Sequence, residues 1–167
     1  MRVAPIGLYE QNPERAFDLA CDAAAITHGH PTGYLASGCF AAIIAGIMQG
    51  NCLRDAVDHA MEILACRPEH QETTACLQRA LAFLESDLAP TAEVIEHIGQ
   101  GWVAEEALAI SVYCALAFPG DFRKAVLLAV NHSGDSDSTG AITGSILGTV
   151  LGPGPIPTEW LEQLELR

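Results

Sequence analysis

Hydrophobic residues recur along most of the chain with the spacing of amphipathic helices. Between Leu53 and Leu64 the apolar positions lie three or four residues apart, and charged side chains occupy the opposite face. This spacing is typical of a surface helix. Similar patterns predict a helix over residues 73–85 and a short helix after the break at 89–91. Residues 125–130 are apolar enough for a buried strand, but Asp121 and the basic residues before them favour a helix.

Two further segments are apolar nearly all round. Residues 34–48 and 140–151 contain many small residues and no charged side chain, which favours central helices that pack closely against their neighbours. Their hydropathy also fits a membrane span, but neither segment has the basic flank that sets the orientation of one. A buried position is therefore the preferred interpretation. Gly140, Gly144 and Gly148 lie at four-residue spacing, which indicates a closely packed face.

The remaining elements follow from caps and breakers. Asn12 and Pro13 predict the start of a helix that extends to about residue 27. Helices are also expected over residues 103–117 and from Asp121 to about residue 130. Loops are predicted over residues 28–33 and 131–137. A short amphipathic tail is expected to direct three apolar side chains inward: Trp160, Leu161 and Leu164. In total about eight helices and no convincing strand are predicted, which indicates an all-α fold and a single domain over residues 1–167.

Composition and charge narrow the function classes. Hydrophobic residues make up 50% of the chain and aromatic residues only 6%, a mixture that favours packed helices. Eight basic residues against 21 acidic ones give a net charge of −13. This charge repels phosphate backbones and anionic membrane surfaces, so neither a nucleic-acid partner nor a membrane partner is expected.

The cysteines are isolated from one another. None of the six forms a Cys-x-x-Cys pair, so neither a zinc ribbon nor a dithiol redox site is indicated. Most have apolar neighbours, which predicts buried, reduced thiols in a cytoplasmic protein.

The strongest candidate chemistry lies in residues 131–140, Asn-His-Ser-Gly-Asp-Ser-Asp-Ser-Thr-Gly. Two carboxylates that lack a nearby cation repel each other, and a hard divalent ion would relieve that repulsion. Asp135, Asp137 and the Ser138 hydroxyl are therefore candidate metal ligands. The alternative is that these residues only cap the following helix.

Three other motifs fit this segment less well. An EF-hand loop would need Glu where the chain has Ile146, and a P-loop would need a Lys that is absent. The Asp-x-Asp-x-Thr pattern resembles the nucleophile motif of haloacid-dehalogenase-like phosphatases, but no Lys follows it.

Two further segments carry polar side chains at element boundaries. His28 and His30 lie in a Gly/Pro-containing loop, where they contact a ligand or form structural hydrogen bonds. Glu105 and Glu106 open a predicted helix, where negative charge favours the helix dipole; they are also spare carboxylates.

Several of these segments together resemble one family. Residues 134–141 (Gly-Asp-Ser-Asp-Ser-Thr-Gly-Ala) resemble the second metal motif of the ADP-ribosylglycohydrolases, the relatives of the dinitrogenase-reductase-activating glycohydrolase and the ADP-ribosyl-acceptor hydrolases. Residues 27–34, residues 102–113 and the opening Met1–Gly7 segment are similar to other segments of that family. The likeness covers almost the whole chain.

The resemblance implies an all-α hydrolase with two Mg²⁺ or Mn²⁺ ions that removes ADP-ribose from protein side chains, commonly arginine. It implies Asp135, Asp137 and Ser138 as metal ligands, His28 as an ADP-ribose contact and Tyr34 in the same pocket. The catalytic residues are left unidentified by the resemblance. The family's first metal motif, Thr-Asp-Asp, does not occur in this sequence. The chain is therefore expected to correspond to the C-terminal portion of such an enzyme, and a non-catalytic module that binds metal or ADP-ribose is the alternative.

Overall fold

The computed structural model describes residues 1–164, and over this range all regular structure is helical. The all-α prediction is confirmed. In chain order the helices are α1 (Ala4–Tyr9), α2 (Pro13–Ala25), α3 (Pro31–Met48), α4 (Leu53–Ala65), α5 (Gln71–Leu84), α6 (Ala92–Ile98), α7 (Ala104–Ala117), α8 (Phe122–Val130), α9 (Ser136–Leu151) and α10 (Thr158–Leu161).

Helix α3 lies at the centre of the fold. It packs most extensively against α2 and also contacts α1, α4, α7 and α9. Nearly every side chain between Leu35 and Ile47 is buried, as expected for a helix that has no polar face. By length and composition alone α3 could cross a membrane, but 72% of it is buried within the protein.

Glycines let the neighbouring helices approach α3 closely. A Cβ atom added at Gly38 would lie 2.6 Å from the Cys21 Sγ and 2.9 Å from the Phe17 ring on α2. Gly46 similarly faces Ala56 on α4. In the contact between α1 and α3 the glycine lies on α1: an added Cβ at Gly7 would lie 2.4 Å from the Ala41 carbonyl oxygen of α3. The small residues of this core therefore set the distances between helix axes.

A second buried helix, α7, packs against helices that precede it and helices that follow it in the chain. Residues 107–115 are all buried, and α7 contacts α5, α8 and α9. The Ser111 hydroxyl lies 2.7 Å from the Ala107 carbonyl and 3.1 Å from the Thr139 carbonyl, so it links α7 to α9. Helix α9 is thereby fixed against α7 close to its polar first turn.

Several helix starts match the sequence analysis. The Asn12 side chain accepts a hydrogen bond from the Arg15 amide at 2.9 Å, and Pro13 is the first residue of α2. The Asp121 carboxylate accepts from the Lys124 amide at 3.0 Å and begins α8. Residues 125–130 are therefore helical, as preferred over a strand.

Three boundaries differ from the predictions. Helix α1 was not predicted, because six residues are too few to show a helical period. Helix α3 begins at Pro31, since the His30 Nδ1 atom accepts from the Thr32 amide at 3.4 Å and proline suits the first helical turn. Helix α9 begins at Ser136, so Asp137 lies in its first turn and not in the predicted loop 131–137.

The thiols are less uniformly buried than predicted. Three are buried, Cys21 is partly buried, and Cys52 and Cys66 are exposed. Cys52 has a local reason for its position, because it is the N-cap of α4 and its Sγ accepts from the Asp55 amide at 3.4 Å.

The C-terminal tail is also more exposed than predicted. Trp160 packs against Phe122 with a ring-centroid distance of 6.4 Å. Leu161 and Leu164 are 39% and 57% exposed, so the expectation that they face inward is wrong. Helix α10 is only four residues long and buries a single aromatic side chain partly.

The predicted tight face of α9 is confined to its first glycine. A Cβ at Gly140 would lie 2.6 Å from Val130, whereas nothing lies within 4 Å of one at Gly148.

Two glycine-to-alanine changes compare a filled contact on α3 with an open position on α9. Gly38→Ala forces a methyl group into a filled contact and is expected to lower the free energy of unfolding by about 1–3 kcal/mol. Gly148→Ala adds a methyl in open space within a helix and is expected to raise it by about 0.5–1 kcal/mol. Urea denaturation measures both; changes of the same sign would contradict the packing described here.

Candidate functional site

A cleft of about 720 Å³ opens between the C-terminal end of α2, the start of α3, the turn before α7 and the start of α9. Its volume lies within the usual range for small-molecule sites. Residues from four separate segments line it, including His28, Glu105, Asp135 and Ser138. The two sequence segments with the strongest candidate chemistry, 27–34 and 131–140, therefore meet at one cleft.

The acidic motif lies at the N-terminus of α9. Asp135 is the N-cap residue, and its carboxylate faces the side chain of Asp137 and the hydroxyl and amide of Ser138. A side-chain hydrogen bond with Asp137 is the largest cause that keeps the pKa of Asp135 below its ordinary value. The hydroxyl and amide of Ser138 and the His132 ring act in the same direction. Asp135 is therefore ionised at neutral pH, beside the positive end of the helix dipole.

The chemistry of these side chains fits a hard divalent cation in part. Two carboxylates and a hydroxyl supply the oxygen ligands that Mg²⁺ and Mn²⁺ prefer. No Lys or Arg among residues 1–164 forms an ion pair with Asp135 or Asp137. Within the same range, however, no three His, Cys, Asp or Glu side chains cluster as a metal site would require. The described residues could supply only part of a coordination shell.

The backbone of Asp135 is held by the turn before α7. Its amide donates a hydrogen bond to the Gln100 carbonyl at 2.8 Å. A Cβ at Gly134 would lie 1.8 Å from that same carbonyl oxygen, so this position must be glycine for the two backbones to meet. Gly101 has a φ of +79° and lies beside Asp135 and Thr139.

A hydrogen-bonded network behind the motif orients the loop 131–135. The Gly134 amide donates to the His132 Nδ1 atom at 3.1 Å, so the proton of the neutral ring lies on Nε2. The Nε2 atom is 3.0 Å from the Thr139 hydroxyl, which donates to the Ala129 carbonyl at 2.6 Å. Burial lowers the pKa of His132, which favours this neutral form.

His28 lies at the opposite wall of the cleft. Its Nδ1 atom is 2.8 Å from the Thr27 hydroxyl, which also accepts a hydrogen bond from the Arg2 guanidinium at 2.7 Å. With the Nδ1 atom engaged, the Nε2 atom of His28 remains for a ligand. The hydrogen bond between His30 and Thr32 instead gives His30 a local role at the start of α3.

Two of the predicted site residues lie outside the cleft lining. Asp137 is exposed and adjoins the cleft only through its neighbour Asp135. Tyr34 is partly buried against the core, and its carbonyl lies 3.2 Å from the Cys21 Sγ. The structure thus brings together His28, Asp135 and Ser138 but does not bring Tyr34 into the same lining.

The two glutamates at the start of α7 differ in their surroundings. The Oε2 atom of Glu105 is buried without a hydrogen-bond partner, and the residue lines the cleft. The Glu106 carboxylate instead accepts hydrogen bonds from the Gln100 and Gly101 amides. Sequence reasoning treated both as helix-end charges and did not identify these contacts, nor the network of His132 and Thr139. The close spacing of His132, Gly134 and Thr139 is a signal that local sequence carries. The contact between Asp135 and Gln100 spans 35 positions, so no local pattern indicates it.

The network predicts a specific pH dependence of stability. Because the pKa of His132 in the folded protein lies below the ordinary value of 6.5, the unfolded chain binds more protons as the pH falls through 6.5. The free energy of unfolding is therefore expected to decrease between pH 7.5 and pH 5.5. His132→Asn is expected to make this decrease smaller, and His97→Asn, on an exposed residue of α6, serves as the control. Equal pH slopes for parent and His132→Asn would contradict the assignment.

Comparison with known proteins adds the family. The family model described as ADP-ribosylglycohydrolase matches residues 1–167. The ADP-ribosylhydrolase ARH3 of Bos taurus is 24% identical over 190 aligned residues, covering 99% of this chain and 52% of the relative. The human protein of the same name is 23% identical, with 99% and 52% coverage.

A shorter match links the chain to a bacterial relative. The ADP-ribosyl-[dinitrogen reductase] glycohydrolase of Rhodospirillum rubrum is 37% identical over 46 residues, which are 28% of this chain and 16% of that protein. No solved structure matches. The chain spans about half the length of the ARH3 relatives that it matches end to end. Since the family model extends over every residue, the chain belongs to the ADP-ribosylglycohydrolase family.

Proposed function

We propose that this chain takes part in hydrolysis of the glycosidic bond that links ADP-ribose to a protein side chain such as arginine. One observation carries the proposal: the acidic motif of α9 and the histidine of the 27–34 segment face the same cleft. Membership of the ADP-ribosylglycohydrolase family supports the reaction class. The partners would be an ADP-ribosylated protein or ADP-ribose itself.

The proposed cofactor is Mg²⁺ or Mn²⁺, held by Asp135, Asp137 and Ser138. A bound divalent ion would polarise an oxygen ligand and activate a water for attack. The orientation of Asp135 is fixed by backbone contacts, which favours a preformed site.

The proposed ligand contacts lie across the cleft from this motif. His28 would donate or accept a hydrogen bond through its Nε2 atom, because Thr27 engages Nδ1. Arg2 also lines the cleft and would attract a diphosphate group. The unpartnered Glu105 oxygen would accept a hydrogen bond from a hydroxyl or guanidinium of the ligand. Tyr34 would act only indirectly, through the position of α3.

A second function is supported by the incomplete set of ligands. The described residues hold no cluster of three metal-ligating side chains, which favours binding of a cation or of ADP-ribose without turnover. Glycosidic cleavage usually requires both an acid and an activated water. A chain with half of the metal shell would bind the product while hydrolysis stays slow.

Release of ADP-ribose from an ADP-ribosyl-arginine peptide, followed by mass spectrometry, separates the two functions. We expect release with Mn²⁺ and none with a chelator. Asp135→Asn is expected to reduce the rate by about 100-fold or more, since loss of a ligand should exceed the effect of losing an outer-shell partner.

Asp121→Asn is the matched control, because it makes the same change at the N-cap of α8 and asparagine caps helices equally well. Release that is unaffected by chelator or by Asp135→Asn would contradict the metal assignment. Absence of release from the parent, together with Mn²⁺-dependent binding of ADP-ribose, would favour the non-catalytic function.

A further inference from the structure

The turn at residues 99–101, which holds the acidic motif, is itself bound by a carboxylate from outside that motif. The Oε2 atom of Glu106 accepts hydrogen bonds from the Gln100 amide at 2.9 Å and the Gly101 amide at 3.0 Å. The contact leaves no space, because a Cβ at Gly99 would lie 2.4 Å from the Glu106 Cδ atom. The first turn of α7 therefore holds the backbone of residues 99–101 in place through these hydrogen bonds.

A single peptide group connects Glu106 to Asp135. The peptide between residues 100 and 101 donates its N–H to Glu106 and accepts the Asp135 amide on its carbonyl at 2.8 Å. A peptide group is planar, so fixing its N–H also fixes the direction of its carbonyl. Hydrogen bonds at both ends of one peptide polarise each other and strengthen the chain of contacts.

The geometry points to Glu106 as the positioning residue of Asp135, acting through the peptide between Gln100 and Gly101. The inference rests on the proposed function, in which Asp135 binds a divalent cation. The Asp135 amide has the Gln100 carbonyl as its hydrogen-bond acceptor, so the backbone position of Asp135 depends on that peptide. Without Glu106 the peptide is free to rotate, and the Asp135 amide loses its acceptor.

This role differs from a general electrostatic effect at the start of a helix. Glu72 occupies the first turn of α5, which has the same 14-residue length as α7, and its side chain is exposed. A favourable interaction with the helix dipole would be lost equally in Glu72→Ala and Glu106→Ala. Of these two glutamates, Glu106 contacts the turn that binds Asp135 and Glu72 does not. Removal of Glu106 alone is therefore expected to alter the position of the acidic motif.

Amide hydrogen exchange measured by NMR on the full chain tests the inference without relying on activity. Glu106→Ala is expected to speed exchange of the Asp135 amide at least tenfold, while the buried Ile110 amide of α7 changes less than threefold. Glu106→Gln keeps an oxygen acceptor, so its effect at Asp135 is expected to stay below threefold. Glu72→Ala is expected to match the parent at Asp135.

Two results would overturn the inference. The first is an Asp135 amide that exchanges equally fast in parent and Glu106→Ala. The second is an equal acceleration of Asp135 and Ile110 in Glu106→Ala, which would make Glu106 a general stabilising residue.

If Glu106→Ala does not fold, Gly134→Ala disrupts the same contact from the other side, since its Cβ would meet the Gln100 carbonyl. Exchange of the Asp135 amide should then accelerate at least tenfold, while the Gln100 and Gly101 amides stay protected by Glu106. Equal loss of protection at all three amides would show that Glu106 does not hold the turn, and would overturn the inference.

Titration with Mn²⁺ distinguishes this inference from the proposed function. In the parent, Mn²⁺ is expected to broaden the amide signals of Asp135 and Ser138, and Glu106→Ala should need at least fivefold more Mn²⁺ for equal broadening. No broadening in the parent would refute the cation site, and the exchange rates of Asp135 would still decide the role of Glu106.

Discussion

Burial of α3 around its whole circumference is the constraint on which the rest of the structure depends. A helix with no polar face must be covered on every side, and here α1, α2, α4, α7 and α9 supply that cover. Close coverage requires small residues at the contacts, and Gly7, Gly38 and Gly46 provide them. One wall of the cleft is the N-terminal end of this helix, so the packing of the core also fixes the ligand-facing surface.

The acidic motif is the point where this core reaches solvent as a polar surface. Helix α9 is anchored to α7 through Ser111 and Thr139, while its N-cap residue, Asp135, is held by the Gln100 carbonyl. Two carboxylates side by side are unfavourable in isolation, and a rigid backbone that keeps them together is typical of a binding site. The net charge of −13 favours cations in the same way across the whole surface.

The fold class and most helices could be predicted from local pattern, because amphipathic spacing, caps and breakers act within a few residues. The cap at Asn12 and the helix after Asp121 are examples. Helix α1 could not be predicted, since its stability comes from the contact of Gly7 with α3 and not from its own six residues. The burial of the C-terminal tail is overestimated for the opposite reason: Leu161 has helical spacing, but no surface of the protein covers it.

In the candidate site, too, the residues predicted from local sequence differ from those whose roles depend on long-range contacts. Asp135 and Ser138 were identified because their chemistry is concentrated in ten residues, and His28 because of its family resemblance. The roles of His132, Gln100 and Glu106 depend on backbone contacts between segments far apart in sequence. Tyr34 lies in the same segment as His28, but helix α3 begins before it, which leaves its side chain against the core and outside the cleft lining.

The proposed function places a divalent cation on the α9 motif and ADP-ribose in one cleft. Two ligands that contact each other must be thermodynamically linked. Calorimetric titration of ADP-ribose into the parent and into Asp135→Asn, with and without Mn²⁺, measures that linkage directly. Mn²⁺ is expected to lower the Kd of ADP-ribose at least fivefold in the parent and to have no such effect in Asp135→Asn. A Kd that is the same with and without Mn²⁺ in the parent, or a Mn²⁺ effect that survives in Asp135→Asn, would contradict it.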